Sequence, residues 1–251
     1  VASRRLRLGP DSEADRKRIG IRPMGPALPP PESLKSRISE VLSTLPDSVT
    51  LMRDTDLSPL SSAVLLPVAL DDGRRPCLVL NKRSNRVRQP GDLCFPGGSP
   101  EPMIDSVLAA FLRLPGSPLR RWNHFRRWRE SGGRQPAVLG RMLAAGLREG
   151  FEEMRLNPLS VCFLGPLPAQ RLVMFRRVIC PLAVWVNGSP RYRPNWEVAR
   201  VVHIRIAELM DPSRYRRYRI AYAPAVARRI RRTSDEFPAF LHRGRRGEEV
   251  L

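Results

Sequence analysis

Residues 137–156 read AVLGRMLAAGLREGFEEMRL, and the rest of the chain is read outward from them. Leu139, Leu143, Leu147 and Phe151 recur every fourth residue, which is the period of one helical face. The spacing predicts a helix over 137–156 that Asn157-Pro158 ends, because proline disfavours helical geometry in the residue before it. Gly146 and Gly150 stand one turn apart and would let this helix approach a neighbour closely, although Gly150 costs up to about 1 kcal/mol relative to Ala. Glu149, Glu152 and Glu153 are spaced so that all three project toward one side. Carboxylates this close repel one another, and a divalent cation turns that repulsion into ligation. Mg²⁺ favours a few carboxylates completed by water and substrate phosphate oxygens. Arg148 adjoins the group and can orient one carboxylate through a bidentate ion pair. A solvated acidic helix face has the same composition, so the surroundings decide the reading.

Those surroundings are strands. AVLLPVAL (63–70) and CLVLN (77–81) flank the turn DDGRRP and read as a hairpin. A loop-rich stretch follows, KRSNRVRQPGDLCFPGG (82–98). Beyond the helix, further strands are expected at 161–164, 172–175, 178–186 and 201–206, with a helical turn at 207–210. Ser33 to Leu45 reads as a short amphipathic helix through Leu34, Ile38, Val41 and Leu42, with Ser33 as its cap. Strands on both sides of one central helix imply a mixed α/β domain. Residues 1–31, rich in Arg and Pro, read as a flexible basic arm, and 32–251 as the domain. No internal repeat is visible, and the Arg-rich stretch beyond 213 carries no clear pattern.

The 251 residues carry a net charge of +20, and only three of the basic residues are lysines. Arginines occur in nearly every segment, as a GC-rich genome would produce, and they leave a surface that attracts phosphorylated ligands. Cys77, Cys94, Cys162 and Cys180 lie far apart with no CxxC pair, and they read as buried small hydrophobes in a reducing compartment. No apolar stretch approaches the ~20 residues a membrane span needs. The first residues show no apolar signal core, so the cytoplasm is the expected location.

The stretch LVLNKRSNRVRQPGDLCFPGG, followed by a REGFEE helix, resembles the Nudix hydrolase superfamily and, within it, the coenzyme A pyrophosphatase branch. The elements that carry the likeness are Leu80, Lys82-Arg83-Ser84, Val87-Arg88, Gly91 and Phe95-Pro96-Gly97-Gly98, then Arg148, Glu149, Glu152, Glu153 and Leu156. They span roughly residues 60–210. Three departures stand out. About forty residues separate Gly98 from the helix, so 99–136 reads as an insertion. The motif's first acidic residue has two candidates, Glu101 and Asp105. Gly150 replaces an aliphatic residue and Arg155 the motif's last glycine.

The resemblance implies an α/β/α sandwich around a mixed sheet and a metal-dependent pyrophosphatase. Coenzyme A or acyl-CoA would be split into 3′,5′-ADP and (acyl-)4′-phosphopantetheine. Glu149, Glu152 and Glu153 would hold Mg²⁺ or Mn²⁺, with Glu149, Glu152 and Arg148 as the catalytic set. Gly97 and Gly98 would let the backbone approach the phosphates, and Arg83 and Arg88 would contact substrate, with Arg86 a weaker candidate. Glu197 is either a late carboxylate or half of a surface ion pair. His203 is read as structural, and His124 and His242 have no evident partner. A first alternative is a Nudix enzyme for another nucleotide, such as ADP-ribose or a dinucleotide. A second is a nucleic-acid-binding protein on the same scaffold. That reading rests on the charge and on RRWNHFRRWRE (120–130), where Trp122, Phe125 and Trp128 would either pack against the body or stack bases.

Overall fold

A computed structural model of the chain describes residues 28–44, 61–72, 74–130, 135–172, 177–211, 214–215, 219–221, 242–243 and 248–250. The pair at its centre is β1 (Ser61–Leu70) beside β7 (Arg177–Val186), parallel from Ser61↔Val178 to Val68↔Trp185. On one side of that pair β2 (Pro76–Arg83) continues antiparallel from β1, and it carries β3 (Leu93–Cys94) and β8 (Val198–Arg205). On the other side β5 (Val161–Pro166) and the short β6 (Gln170–Leu172) pair antiparallel with β7. The two-residue β4 (Gly97–Gly98) pairs with Ala63 and Val64 of β1 and completes an eight-stranded mixed sheet.

Both faces of this sheet are covered, which is why β1 and β7 are apolar almost without interruption instead of alternating. On one face Ala63 and Leu65 of β1 and Leu182, Val184 and Val186 of β7 pack with the long central helix, which runs Gln135–Met154. On the other, Val68, Ala183 and Trp185 meet Leu34 and Leu42 of the first helix, α1 (Pro31–Thr44). The α/β/α sandwich around a mixed sheet is therefore the architecture of the chain. The central helix is α4 in chain order, after α2 (Pro102–Phe111) and α3 (Phe125–Glu130); α5 (Ile206–Leu209) follows β8. A separate antiparallel sheet joins Arg219–Ala221, His242–Arg243 and Glu248–Val250.

Several expectations shift in detail. The first helix begins at Pro31, so Ser33 lies inside it and cannot be its cap; proline is well suited to a first helical position because its missing N–H needs no partner there. Pro31 thus leaves the proposed arm, and residues 1–27 lie outside the described set. The strand expected at 172–175 ends at Leu172, and 173–175 are also outside it. Cys77 and Cys180 are buried as expected, whereas Cys94 and Cys162 are only half-buried. Phe151 is 44% exposed, off the apolar stripe, with the Arg155 guanidinium 4.9 Å above its ring. The helix ends at Met154, before Asn157-Pro158, because Arg155 adopts φ +58. That left-handed geometry explains why a glycine suits this position.

Gly146 and Gly150 do permit the close approach. A Cβ on Gly150 would lie 3.3 Å from Leu65, and one on Gly146 3.5 Å from it. Trp122, Phe125 and Trp128 are 6–7% exposed, and the Trp122 indole donates to the Leu164 carbonyl at 3.0 Å. The three aromatic rings of this run are therefore core and offer no stacking platform for bases, while its arginines are exposed.

Leu65 lies against Gly146 and Gly150 of α4 and is 0% exposed. Leu65→Ala should lower unfolding free energy by about 2–5 kcal/mol in urea denaturation. Val41→Ala, at a position 51% exposed, should stay within about 0.5 kcal/mol. Equal costs for the two would mean that α4 does not rest on β1 at this point.

Candidate active site

Helix α4 brings Arg148, Glu149, Glu152 and Glu153 to the edge of β4. Arg148 is only 8% exposed, and its guanidinium is the hub of the site. Its Nε donates to Asp105 Oδ1 at 3.0 Å and one terminal nitrogen to Asp105 Oδ2 at 3.3 Å and the Ser99 carbonyl at 3.2 Å. The other terminal nitrogen reaches Glu149 Oε1 at 3.1 Å, Glu152 Oε2 at 3.2 Å and Glu101 Oε1 at 3.4 Å. Burial works against this charge, but Asp105, Glu149 and Glu152 more than compensate and raise the Arg148 pKa above the ordinary value.

Of the two candidates for the motif's first acidic residue, both touch Arg148. Asp105 is 0% exposed and grips it with two oxygens, whereas the Glu101 side chain is 56% exposed. Asp105 also accepts the Glu101 backbone N–H at 2.6 Å. Helix α2 lies antiparallel along α4, with Asp105 at Arg148 and Ala109 beside Gly140.

The three glutamates are not equivalent. Glu153 accepts from Asn81 Nδ2 at 2.6 Å and from the Gly97 N–H at 3.4 Å. Glu149 lies against Gly98: a Cβ there would sit 2.2 Å from Glu149 Oε1. A Cβ on Gly97 would sit 2.3 Å from the Ala63 carbonyl. Backbone contact thus requires glycine at 97, whereas a side chain at 98 would meet the movable end of Glu149 and displace its carboxylate. The Glu152 side chain is 51% exposed, and among the described residues its polar partner is Arg148. Among the described residues no three His, Cys, Asp or Glu side chains stand grouped as a metal-ligand set.

Burial, first of all, pushes the Glu149 pKa up, with Arg148 pulling it down and Glu152 and Glu197 adding to the rise. Glu153 is pushed up to about 7, again chiefly by burial; the Gly97 N–H and Asn81 oppose the rise, and Glu149 and Glu197 add to it. Glu197 makes no ion pair among the described residues, and its charge acts on both glutamates. Its segment is stapled to the end of α4 by the Asn195 N–H donating to the Glu153 carbonyl at 2.8 Å, and to β2 by the Ser84 N–H donating to the Glu197 carbonyl at 2.8 Å.

The arginines of the signature loop are placed differently from one another. Arg83 Nε donates to the Arg88 carbonyl at 2.7 Å, so it braces its own loop, while the Arg86 and Arg88 side chains are exposed. Arg177, which the sequence reading passed over, donates to Ser62 Oγ at 2.7 Å and Ser99 Oγ at 3.1 Å, beside the glycine pair. Asn81 was also passed over; a single polar residue within a strand pattern is its only sequence signal. His203 sits 5.6 Å from the Tyr192 ring, in keeping with a structural role.

No family model matches the chain, and no curated protein matches it. Solved structures with a similar course include a Nudix hydrolase from M. smegmatis, RenU (15% identity, TM-score 0.39, 74% of this chain and 91% of that one). A C. elegans Ap4A hydrolase binary complex (12%, 0.38, 70% and 96%) is another. A third is the NUDIX domain of Shewanella oneidensis NrtR complexed with ADP ribose (12%, 0.37, 64% and 84%). Likenesses this shallow carry no functional weight, and function rests on the side chains above.

Two outcomes follow from this geometry. Asp105→Ala removes the principal partner of a buried guanidinium and should cost about 3–5 kcal/mol in chemical denaturation. Asp105→Asn, which retains one acceptor oxygen, should cost less. The second outcome concerns pH. With Glu153 raised in the folded state from its usual 4.5 to about 7, the native chain binds the extra proton between those values. Stability from this group is present at low pH and lost as pH rises through 7. Denaturation in EDTA across pH 4–8 should show that decline, and Glu153→Gln should flatten it; an unchanged slope in the variant would place the titration elsewhere.

Proposed function

We propose that this chain is a Nudix-type pyrophosphohydrolase that uses Mg²⁺ or Mn²⁺ to cleave the diphosphate of coenzyme A or acyl-CoA. One observation carries the reading. Glu149 and Glu153 lie together against Gly97 and Gly98, both pushed toward neutrality, on a chain whose net charge is +20. A site short of positive charge within a strongly basic protein fits a bound cation that meets a phosphorylated substrate. Hard carboxylate oxygens are the donors such a cation prefers, and the missing side chain at Gly98 leaves the Glu149 carboxylate uncovered. Glu149, Glu152 and Glu153 would hold the ion. When bound, it lowers the pKa of the attacking water and offsets charge developing on the diphosphate.

The chain's own residues have distinct tasks in this scheme. Arg148, fixed by Asp105 and the Ser99 carbonyl, aims Glu149 and Glu152. Glu149, held at the glycine strand, accepts a proton from the attacking water, a role suited to a carboxylate whose pKa burial has raised. The Gly97–Gly98 backbone lets phosphate oxygens come close. Arg177 and the exposed Arg88 are suited to gripping phosphate oxygens, while Arg83 braces the Arg88 carbonyl. The coenzyme A assignment draws on the KRS and FPGG elements of the loop. Another nucleoside diphosphate derivative, such as ADP-ribose or a dinucleotide, fits the same carboxylates. Nucleic-acid binding is not proposed, because Trp122, Phe125 and Trp128 are core.

The decisive assay is a metal-dependent hydrolysis screen over coenzyme A, 3′-dephospho-coenzyme A, ADP-ribose, NADH and diadenosine polyphosphates. Coenzyme A should turn over faster than its 3′-dephospho form. The Glu152→Gln, Glu153→Gln double variant should lose more than ~100-fold, since even residues behind a metal's ligands are worth about 10–100-fold. Unchanged turnover in that variant rejects the site. Equal turnover of both coenzymes rejects the substrate.

A further inference from the structure

Asn81 sits within β2, opposite Cys94 of β3 and Val201 of β8, and is 0% exposed. Its carboxamide is used on one side only. Nδ2 donates to Glu153 Oε2 at 2.6 Å, while Oδ1, equally buried, has no partner among the described residues. A buried carbonyl oxygen normally finds a donor, and one without a donor calls for an explanation. Rotating the amide does not supply one, because Oδ1 would then face the Glu153 carboxylate and Nδ2 would be stranded instead. The unpartnered oxygen therefore belongs to the present orientation, on the amide that touches the most buried corner of the acidic site.

We propose that Asn81 completes the cation site: Oδ1 is its neutral oxygen ligand, and Nδ2 fixes Glu153 beside it. An amide oxygen is a hard donor that Mg²⁺ and Mn²⁺ accept alongside carboxylates, and it adds no negative charge to an already repulsive group. The proposal also accounts for a polar side chain in the midst of the buried run Val79-Leu80-Asn81. It rests on the pyrophosphohydrolase reading for the presence of a cation, and on nothing else in that reading.

The test uses Mn²⁺ alone, titrated into the full chain and followed by electron paramagnetic resonance of the free ion, with circular dichroism as the check on folding. Asn81→Leu has similar volume and no polar atom, and it should weaken Mn²⁺ binding by about 10–100-fold. Asn81→Asp keeps an oxygen at the ligand position but loses the donor to Glu153, and it should bind Mn²⁺ at least as tightly as the native chain. If Asn81 only positioned Glu153 through Nδ2, Asp and Leu would weaken binding alike, and that result overturns the proposal. Native affinity in Asn81→Leu overturns it too. Should the leucine variant not fold, the comparison of Asp with the native chain still decides. A native chain that binds no Mn²⁺ overturns this proposal and the metal-dependent reading together, whereas native binding with unaffected variants overturns this one alone.

Discussion

A guanidinium buried to 8% exposure and a carboxylate buried to 0% form the contact on which the acidic end of α4 depends. Removing two charges from water costs several kcal/mol for each ion, and their attraction repays that only with good geometry and further hydrogen bonds. Arg148 and Asp105 meet both conditions. Two of their bonds run side by side, and the remaining Arg148 donors go to Ser99, Glu149, Glu152 and Glu101. The pair ties α2 to α4 and fixes the start of the segment after β4. It also sets how much repulsion is left among the glutamates, since Arg148 acts on Glu149 and Glu152 while Glu153 lies beyond it against Asn81.

That residual repulsion is confined by the backbone. In β4, Gly97 lies too close to the Ala63 carbonyl for any side chain, and Gly98 leaves room for the Glu149 carboxylate. The Gly97 N–H partly neutralises Glu153, and no side chain intervenes between the strand and Glu149. Stability and chemistry therefore oppose each other here. The arrangement raises the pKa of both glutamates, which lowers the stability of the fold as pH approaches neutrality.

The sequence disclosed what short-range periodicity encodes. Helix α4, the hairpin of β1 and β2 and the strand at β7 follow from repeats visible within one element and their order gives a mixed α/β class, whereas the sandwich was implied by the family resemblance. The grouping of Arg148 with Glu149 and Glu152 follows from helical spacing alone, and the glycine pair from its proximity in the motif. Asp105 was one of two candidates, and its burial and two-oxygen grip on Arg148, which distinguish it from Glu101, are not readable from spacing. Asn81 and Arg177 were missed because their meaning lies in partners 72 and 78 residues away, at Glu153 and Ser99. Phe151 fits the four-residue spacing yet faces outward, since that spacing drifts around a helix of 3.6 residues per turn, and the Arg155 guanidinium lies over its ring. Trp122, Phe125 and Trp128 carry the composition of a nucleic-acid surface, and their burial could not be read from spacing.

The central claim is positional: a divalent ion belongs between α4 and the glycine strand. Anomalous X-ray scattering from crystals of the native chain soaked in Mn²⁺ locates such an ion without reference to activity. The account predicts a peak within bonding distance of the Glu149 and Glu153 carboxylates, facing Gly97 and Gly98. A peak at some other cluster, with this corner empty at saturating Mn²⁺, would contradict it.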